Sequence, residues 1–81
     1  MNMQKIILDE LNLIFQEVLK REDISLTNET TAQDVEGWDS LTNMQLINKI
    51  EKQFNVRFTF RDIVRLKNVG DICNSISIKV Q

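Results

Sequence analysis

The 81-residue chain contains no proline and only two glycines, Gly37 and Gly70. Proline and glycine are the residues that most reliably break helices and force turns, so their scarcity favours long helices joined by a few loops. The length allows one domain, residues 1–81. A chain of this size buries roughly 60–65% of its unfolded surface, which supports a small core without staples. Hydrophobic residues at 42% and charged residues at 27% suit a globular chain rather than a disordered one.

Hydrophobic spacing places the elements. Ile7, Leu11, Ile14 and Val18 recur at helical intervals, with Leu8 and Phe15 widening the stripe, and the pattern stops near Arg21. Residues 22–38 have no helical period. Ser, Thr, Asn and acidic residues cluster there, while Ile24, Leu26, Val35 and Trp38 are scattered as anchors to a core. A loop of that length in a small domain is uncommon, and one with apolar anchors is an ordered loop with a function. A second helix is predicted from Asp39 or Ser40 to about Gln53, both being strong helix-capping residues. Leu46, Ile47, Ile50 and Phe54 form its inward stripe, and Gly37 supplies the bend before it. Residues 55–58 connect to a short third helix, with Thr59 as cap, Asp62 in its first turn, and Phe60, Ile63 and Leu66 facing inward. Asn68 then caps a last helix with Asp71 at the third position and a stripe of Val69, Ile72, Cys73, Ile76 and Val80. The expected fold is all-α: a small bundle of three main helices plus one short helix, with a long loop between helices 1 and 2.

Composition removes most chemistry. Without histidine the chain has no imidazole base or ligand, and one cysteine builds neither a disulfide nor a thiolate zinc site. Two glycines do not make a phosphate-cradling loop. No catalytic residues and no metal ligands are therefore expected, and the chain is not read as an enzyme. Cys73 lies in an apolar stripe and reads as core. The start of the chain lacks the basic head and apolar block of a secretion signal, and no apolar run approaches the roughly 18 residues of a membrane span. A cytoplasmic monomer is the expected form. The overall charge of −2 argues against nucleic acid. That charge is uneven: residues 1–40 hold three basic and nine acidic side chains, residues 41–81 seven basic and three acidic.

One segment stands apart: Glu36-Gly37-Trp38-Asp39-Ser40-Leu41 ends the long loop and opens a helix. A serine there presents its hydroxyl beside unpaired backbone N–H groups and the positive end of the helix dipole, where a phosphate ester is favoured. The simpler reading is that Ser40 or Asp39 is only a cap. On helical geometry Leu41 and Met44 fall away from the inward stripe, toward the side holding Gln45, Asn48, Glu51 and Lys52. They form a candidate docking surface beside the serine.

Gly37-Trp38-Asp39-Ser40-Leu41, followed by Met44, Leu46, Ile47, Ile50 and the ending Glu51-Lys52-Gln53-Phe54, resembles the acyl carrier protein family. The likeness continues through Val56, Phe58, Leu66, Val69 and Ile72, and so covers nearly the whole chain. It implies that a phosphopantetheinyl transferase moves 4′-phosphopantetheine from coenzyme A to Ser40, with Asp39 assisting. The thiol of that arm then carries acyl groups between loading and transferring enzymes. Leu41, Met44, Gln45, Asn48, Glu51 and Lys52 would meet those partners. Trp38 stands where the related peptidyl carriers have glycine, so the acyl branch fits better than an aminoacyl or peptidyl carrier. The family usually bears several carboxylates on the second and third helices. Here Lys49, Lys52, Arg61 and Arg65 take that region. Synthases with basic docking patches would bind such a surface poorly, which points to a specialised biosynthetic pathway. The alternative of another class is a noncovalent interaction module with the same fold.

Overall fold

The computed structural model describes residues 2–80. It contains α1 (Met3–Leu19), α2 (Ser40–Phe54), α3 (Phe60–Val64) and α4 (Val69–Val80), with no strand among the described residues. The all-α architecture and the long first loop are as the sequence predicts.

The helix ends follow local chemistry. The Asn2 side chain caps α1 by accepting from the N–H groups of Gln4 and Lys5. α1 ends at Lys20 (φ 57°) and α2 at Asn55 (φ 55°), both left-handed. The chain thus makes two helix stops with residues other than glycine, the commonest choice there. Thr59 and Asp62 cap α3 reciprocally. Asn68 Oδ1 accepts from Asp71 N–H at 2.8 Å, while the Asp71 carboxylate accepts from Lys67 N–H at 2.9 Å.

α1 packs against both α2 and α4. The core joins Ile7, Leu11, Ile14 and Phe15 of α1 to Leu46 and Ile50 of α2 and to Val69, Ile72, Cys73 and Ile76 of α4, with Leu26 inserted from the loop. Ile24, Val35 and Trp38 pack against this core, so all four expected loop anchors are used. Burial pushes the Cys73 thiol up to about 11, which keeps it a protonated core group.

Four inward-facing expectations are corrected. Val18 and Phe54 are only half-buried at the edge of the core. Val80 is 41% exposed, Ile76 being the last member of the α4 stripe to be buried. Phe60 is 80% exposed. The reason is the phase set by the Thr59–Asp62 cap: Phe58, two residues earlier, packs on the core instead. Its N–H donates to the Glu51 carboxylate at 2.8 Å, and the Lys79 ammonium lies 5.5 Å from its ring centre.

The loop is fastened from two sides. Asn12 of α1 accepts from Leu26 N–H at 2.7 Å and donates to the Ile24 carbonyl at 3.1 Å, a carbonyl that also accepts from Gln16. At the start of α4, Val69 and Gly70 donate their N–H groups to the carbonyls of Thr30 and Asn28 at 2.9 and 2.8 Å. A β-carbon on Gly70 would lie 2.9 Å from the Asn28 oxygen, so this close approach requires glycine.

Candidate functional site

The segment that opens α2 is held rigidly on three sides. Gly37 turns the chain with φ 93°, a conformation that suits glycine. Trp38 then packs edge-to-face on Phe15, with centroids 4.8 Å apart, and its indole N–H donates to Asn43 Oδ1 at 2.9 Å. This ties the loop's end to α1 and to the next turn of α2, as the anchor reading of Trp38 requires. Asp39 caps α2: its Oδ1 accepts from the N–H groups of Leu41 and Thr42 at 3.0 and 2.9 Å. Thr42 closes the box, accepting from Asp39 N–H at 2.8 Å and donating to the Gly37 carbonyl at 2.6 Å. The Thr42 N–H bond is the main reason that the Asp39 carboxyl sits below the ordinary carboxylate range.

The choice between Asp39 and Ser40 as cap is thus decided for Asp39. Ser40 is the first helical residue and is exposed, and its hydroxyl makes no hydrogen bond among the described residues. Unlike the capping oxygen beside it, this hydroxyl takes no part in holding the helix start.

The expected set of unpaired N–H groups is smaller than the sequence suggested. Asp39 takes those of Leu41 and Thr42 with its side chain, and the Asp39 N–H itself donates to Thr42 Oγ1. A phosphate ester on Ser40 would therefore meet the helix dipole but also an ionised carboxylate next door. A counterweight comes from elsewhere. Ser40 opens into a shallow groove of about 260 Å³ lined also by Trp38, Asp39, Asn43, Leu66 and Lys67. Lys67 lines that groove and has no ion-pair partner among the described residues, so a cationic residue borders the serine. The space, the unbonded hydroxyl and the lysine fit a phosphate ester.

Along α2, Leu41 is 71% and Met44 47% exposed, and Gln45, Asn48 and Lys52 are exposed with them. Glu51 is different. It is half-buried and one oxygen of its carboxylate secures the chain at Phe58, while the residue also lines an open groove with Asn48 and Lys52. Lys49 pairs with Glu17 of α1 at 2.7 Å and so lies on the side of α2 facing α1. The sequence reading missed Asn43, Leu66 and Lys67 as neighbours of Ser40. Asn43, three residues on in the same helix, was within reach of helical spacing. Leu66 and Lys67 arrive through the path of α3, which no local pattern encodes.

No helix of the described residues is long and apolar enough to cross a membrane. Residues 9–76 match the family described as "Phosphopantetheine attachment site". Among solved structures, the chain is similar to the solution NMR structure of a holo acyl carrier protein from Geobacter metallireducens. The identity is 40%, the TM-score is 0.86, and the match covers 90% of this chain and 84% of that one.

Proposed function

The chain belongs to the acyl carrier protein family of phosphopantetheine-bearing domains, and we propose that Ser40 is the attachment point through which it serves a specialised biosynthetic pathway in the cytoplasm. The covalently attached 4′-phosphopantetheine supplies the thiol on which an acyl group is held as a thioester. The observation that carries the assignment to Ser40 is the division of labour at the start of α2: Asp39 performs the capping, and the Ser40 hydroxyl is left exposed and unbonded.

The residues around the serine have complementary roles in this reading. Asp39 stays ionised and takes its N–H bonds on Oδ1, which leaves Oδ2 for the modifying transferase or a cation that it brings. Lys67 offsets the charge that the phosphate adds beside Asp39. Trp38 and Thr42 keep the serine at a fixed place, so that partners meet a preformed surface. That surface includes Leu41, Met44, Gln45, Asn48 and Lys52. The basic side chains at Lys52, Arg61 and Arg65 support the specialised pathway, because a basic docking patch on a general synthase would lose its electrostatic steering against them.

The test is intact mass after incubation with coenzyme A and a broad-specificity phosphopantetheinyl transferase. The chain should gain one phosphopantetheinyl group. Ser40→Ala should gain none while remaining folded, with stability within about 0.5 kcal/mol of wild type as for an ordinary surface substitution. A group mapped to another residue would move the site. No gain with several transferases would favour the noncovalent module.

A further inference from the structure

The outer side of α3 carries an apolar and basic surface that the architecture leaves uncovered. Phe60 is 80% and Val64 57% exposed, one helical turn apart. Arg57, Arg61 and Arg65, all exposed, surround them. None of these arginines has an ion-pair or side-chain hydrogen-bond partner among the described residues, whereas Lys5, Arg21, Lys49 and Lys79 are all paired. The one carboxylate of α3, Asp62, is taken by Lys79, so it does not pair with these arginines.

The position of α3 says what approaches it. The segment starts where Phe58 is bound to Glu51 late in α2, and ends with Leu66 and Lys67 lining the groove at Ser40. α3 therefore runs from the end of α2 back toward the serine, and it carries its own exposed apolar pair, Phe60 and Val64, beside that path. An enzyme that closes over Ser40 also closes over α3. Its facing surface must provide an apolar hollow and negative charge, because uncompensated arginines at a closed interface are costly.

We propose that the outer face of α3, centred on Phe60 and Val64 and ringed by Arg57, Arg61 and Arg65, is a docking surface for an enzyme partner that is acidic around an apolar pocket. The proposal rests on the carrier reading of Ser40, and reverses the polarity that an acidic carrier presents to basic synthases. Phe60 is the anchor, an exposed aromatic side chain of the kind that dominates interface energies. The arginines set which partner is accepted.

The experiment uses the full chain, with or without the arm, and three probes. The first is a fatty-acid ketosynthase with a basic carrier-docking patch. The second is the same enzyme with those basic residues changed to glutamate. The third is phosphatidylglycerol vesicles. Binding is followed by NMR titration of the carrier's amides. The charge-reversed enzyme should bind about tenfold or more tightly than its parent at low salt, with shifts over residues 57–66. The advantage should shrink as salt screens the charges. Arg61→Glu with Arg65→Glu should invert the preference, and Phe60→Ala should weaken binding about tenfold while leaving the circular dichroism spectrum unchanged. Equal or better binding to the basic parent, binding to neither form, shifts confined to α2, or stronger association with the vesicles would each overturn the proposal. Intact mass is scored separately. A chain that is modified at Ser40 but lacks the charge preference refutes the α3 surface alone, and a chain that is never modified refutes the carrier reading whatever α3 binds.

Discussion

Replacing Asn12 with alanine isolates the energetics of the loop that leads to Ser40. The Asn12 side chain accepts from Leu26 N–H at 2.7 Å and donates to the Ile24 carbonyl at 3.1 Å. The two losses are unequal. Ile24 keeps a second donor in Gln16, whose amide also reaches the Glu22 carbonyl. Leu26 N–H has no other partner among the described residues, and it belongs to the one loop residue inserted fully into the core. An orphaned, partly buried N–H costs about 1–3 kcal/mol, whereas a lost bond with both groups otherwise served costs about 0.5. Alanine recovers roughly 0.5 kcal/mol through its better helix propensity. Asn12→Ala should therefore destabilise by about 1–3 kcal/mol, a fall in Tm of roughly 8–16 °C at the middle of that range for a domain of this size. Gln16→Ala should cost about 0.5 kcal/mol or less, since it leaves the Ile24 carbonyl bonded to Asn12. Urea denaturation gives both values, and hydrogen exchange gives the location. The Leu26 amide should exchange faster in Asn12→Ala by more than the global loss explains, while the Ile50 amide follows global stability. If Gln16→Ala costs as much as Asn12→Ala, or the Leu26 amide keeps its protection, the account of the loop is refuted.

Two further perturbations test the edges of the fold. Phe54 is half-buried, so Phe54→Ala should cost about 2–3 kcal/mol, below the 3–5 typical of a fully buried phenylalanine; a urea-derived value inside the higher range would place its ring in the core proper. Asp62 is held down to about 2, first by the Thr59 N–H and then by the Lys79 ammonium at 2.9 Å. Because its folded value lies below the unfolded one, its contribution is complete above about pH 4 and disappears as pH falls toward 2. Wild type should therefore lose more stability than Asp62→Asn over that interval in acid titrations followed by circular dichroism, and parallel profiles would refute the α3–α4 tie.

The elements that could be read from the sequence are those whose signal is local. The stripes of α1, α2 and α4 declare themselves at helical spacing, and the caps at Asp39, Thr59 and Asn68 are residue types whose short side chains return to their own backbone. Local pattern alone leaves Ser40 and Asp39 as alternative caps, and the proposal of Ser40 as the attachment point comes from the wider resemblance; the structure assigns the cap to Asp39. What failed has a physical cause in each case. α3 is only five residues long, so periodicity could not decide whether Phe58 or Phe60 turned inward, and the cap decided for Phe58. The structural bond of Glu51 was not legible, because nothing in its helix reveals that the chain turns back after Phe54 to present the Phe58 N–H. Lys49 and Lys52 look equivalent in sequence, but the packing angle of α1 places Glu17 against only the first. The charge of the groove at Ser40 depends on Lys67, which arrives by the same non-local route.

The segment around Ser40 and the outer face of α3 are held by separate sets of contacts. The box formed by Gly37, Asp39 and Thr42, with Trp38 resting on Phe15, is closed upon itself and uses no residue of α3. Its geometry therefore does not depend on what α3 displays. α3 in turn is fixed from its inner side, by Asp62 to Lys79 and by Phe58 to Glu51, and these contacts leave Phe60, Arg61, Val64 and Arg65 outside the fold's requirements. Substitutions at those four positions should alter charge and apolar area on the outer face of α3 without loosening the segment around Ser40. On the proposed assignments, the place of attachment and the choice of partner therefore rest on separate parts of the chain, the first on the Asp39–Thr42 box and the second on the outer face of α3.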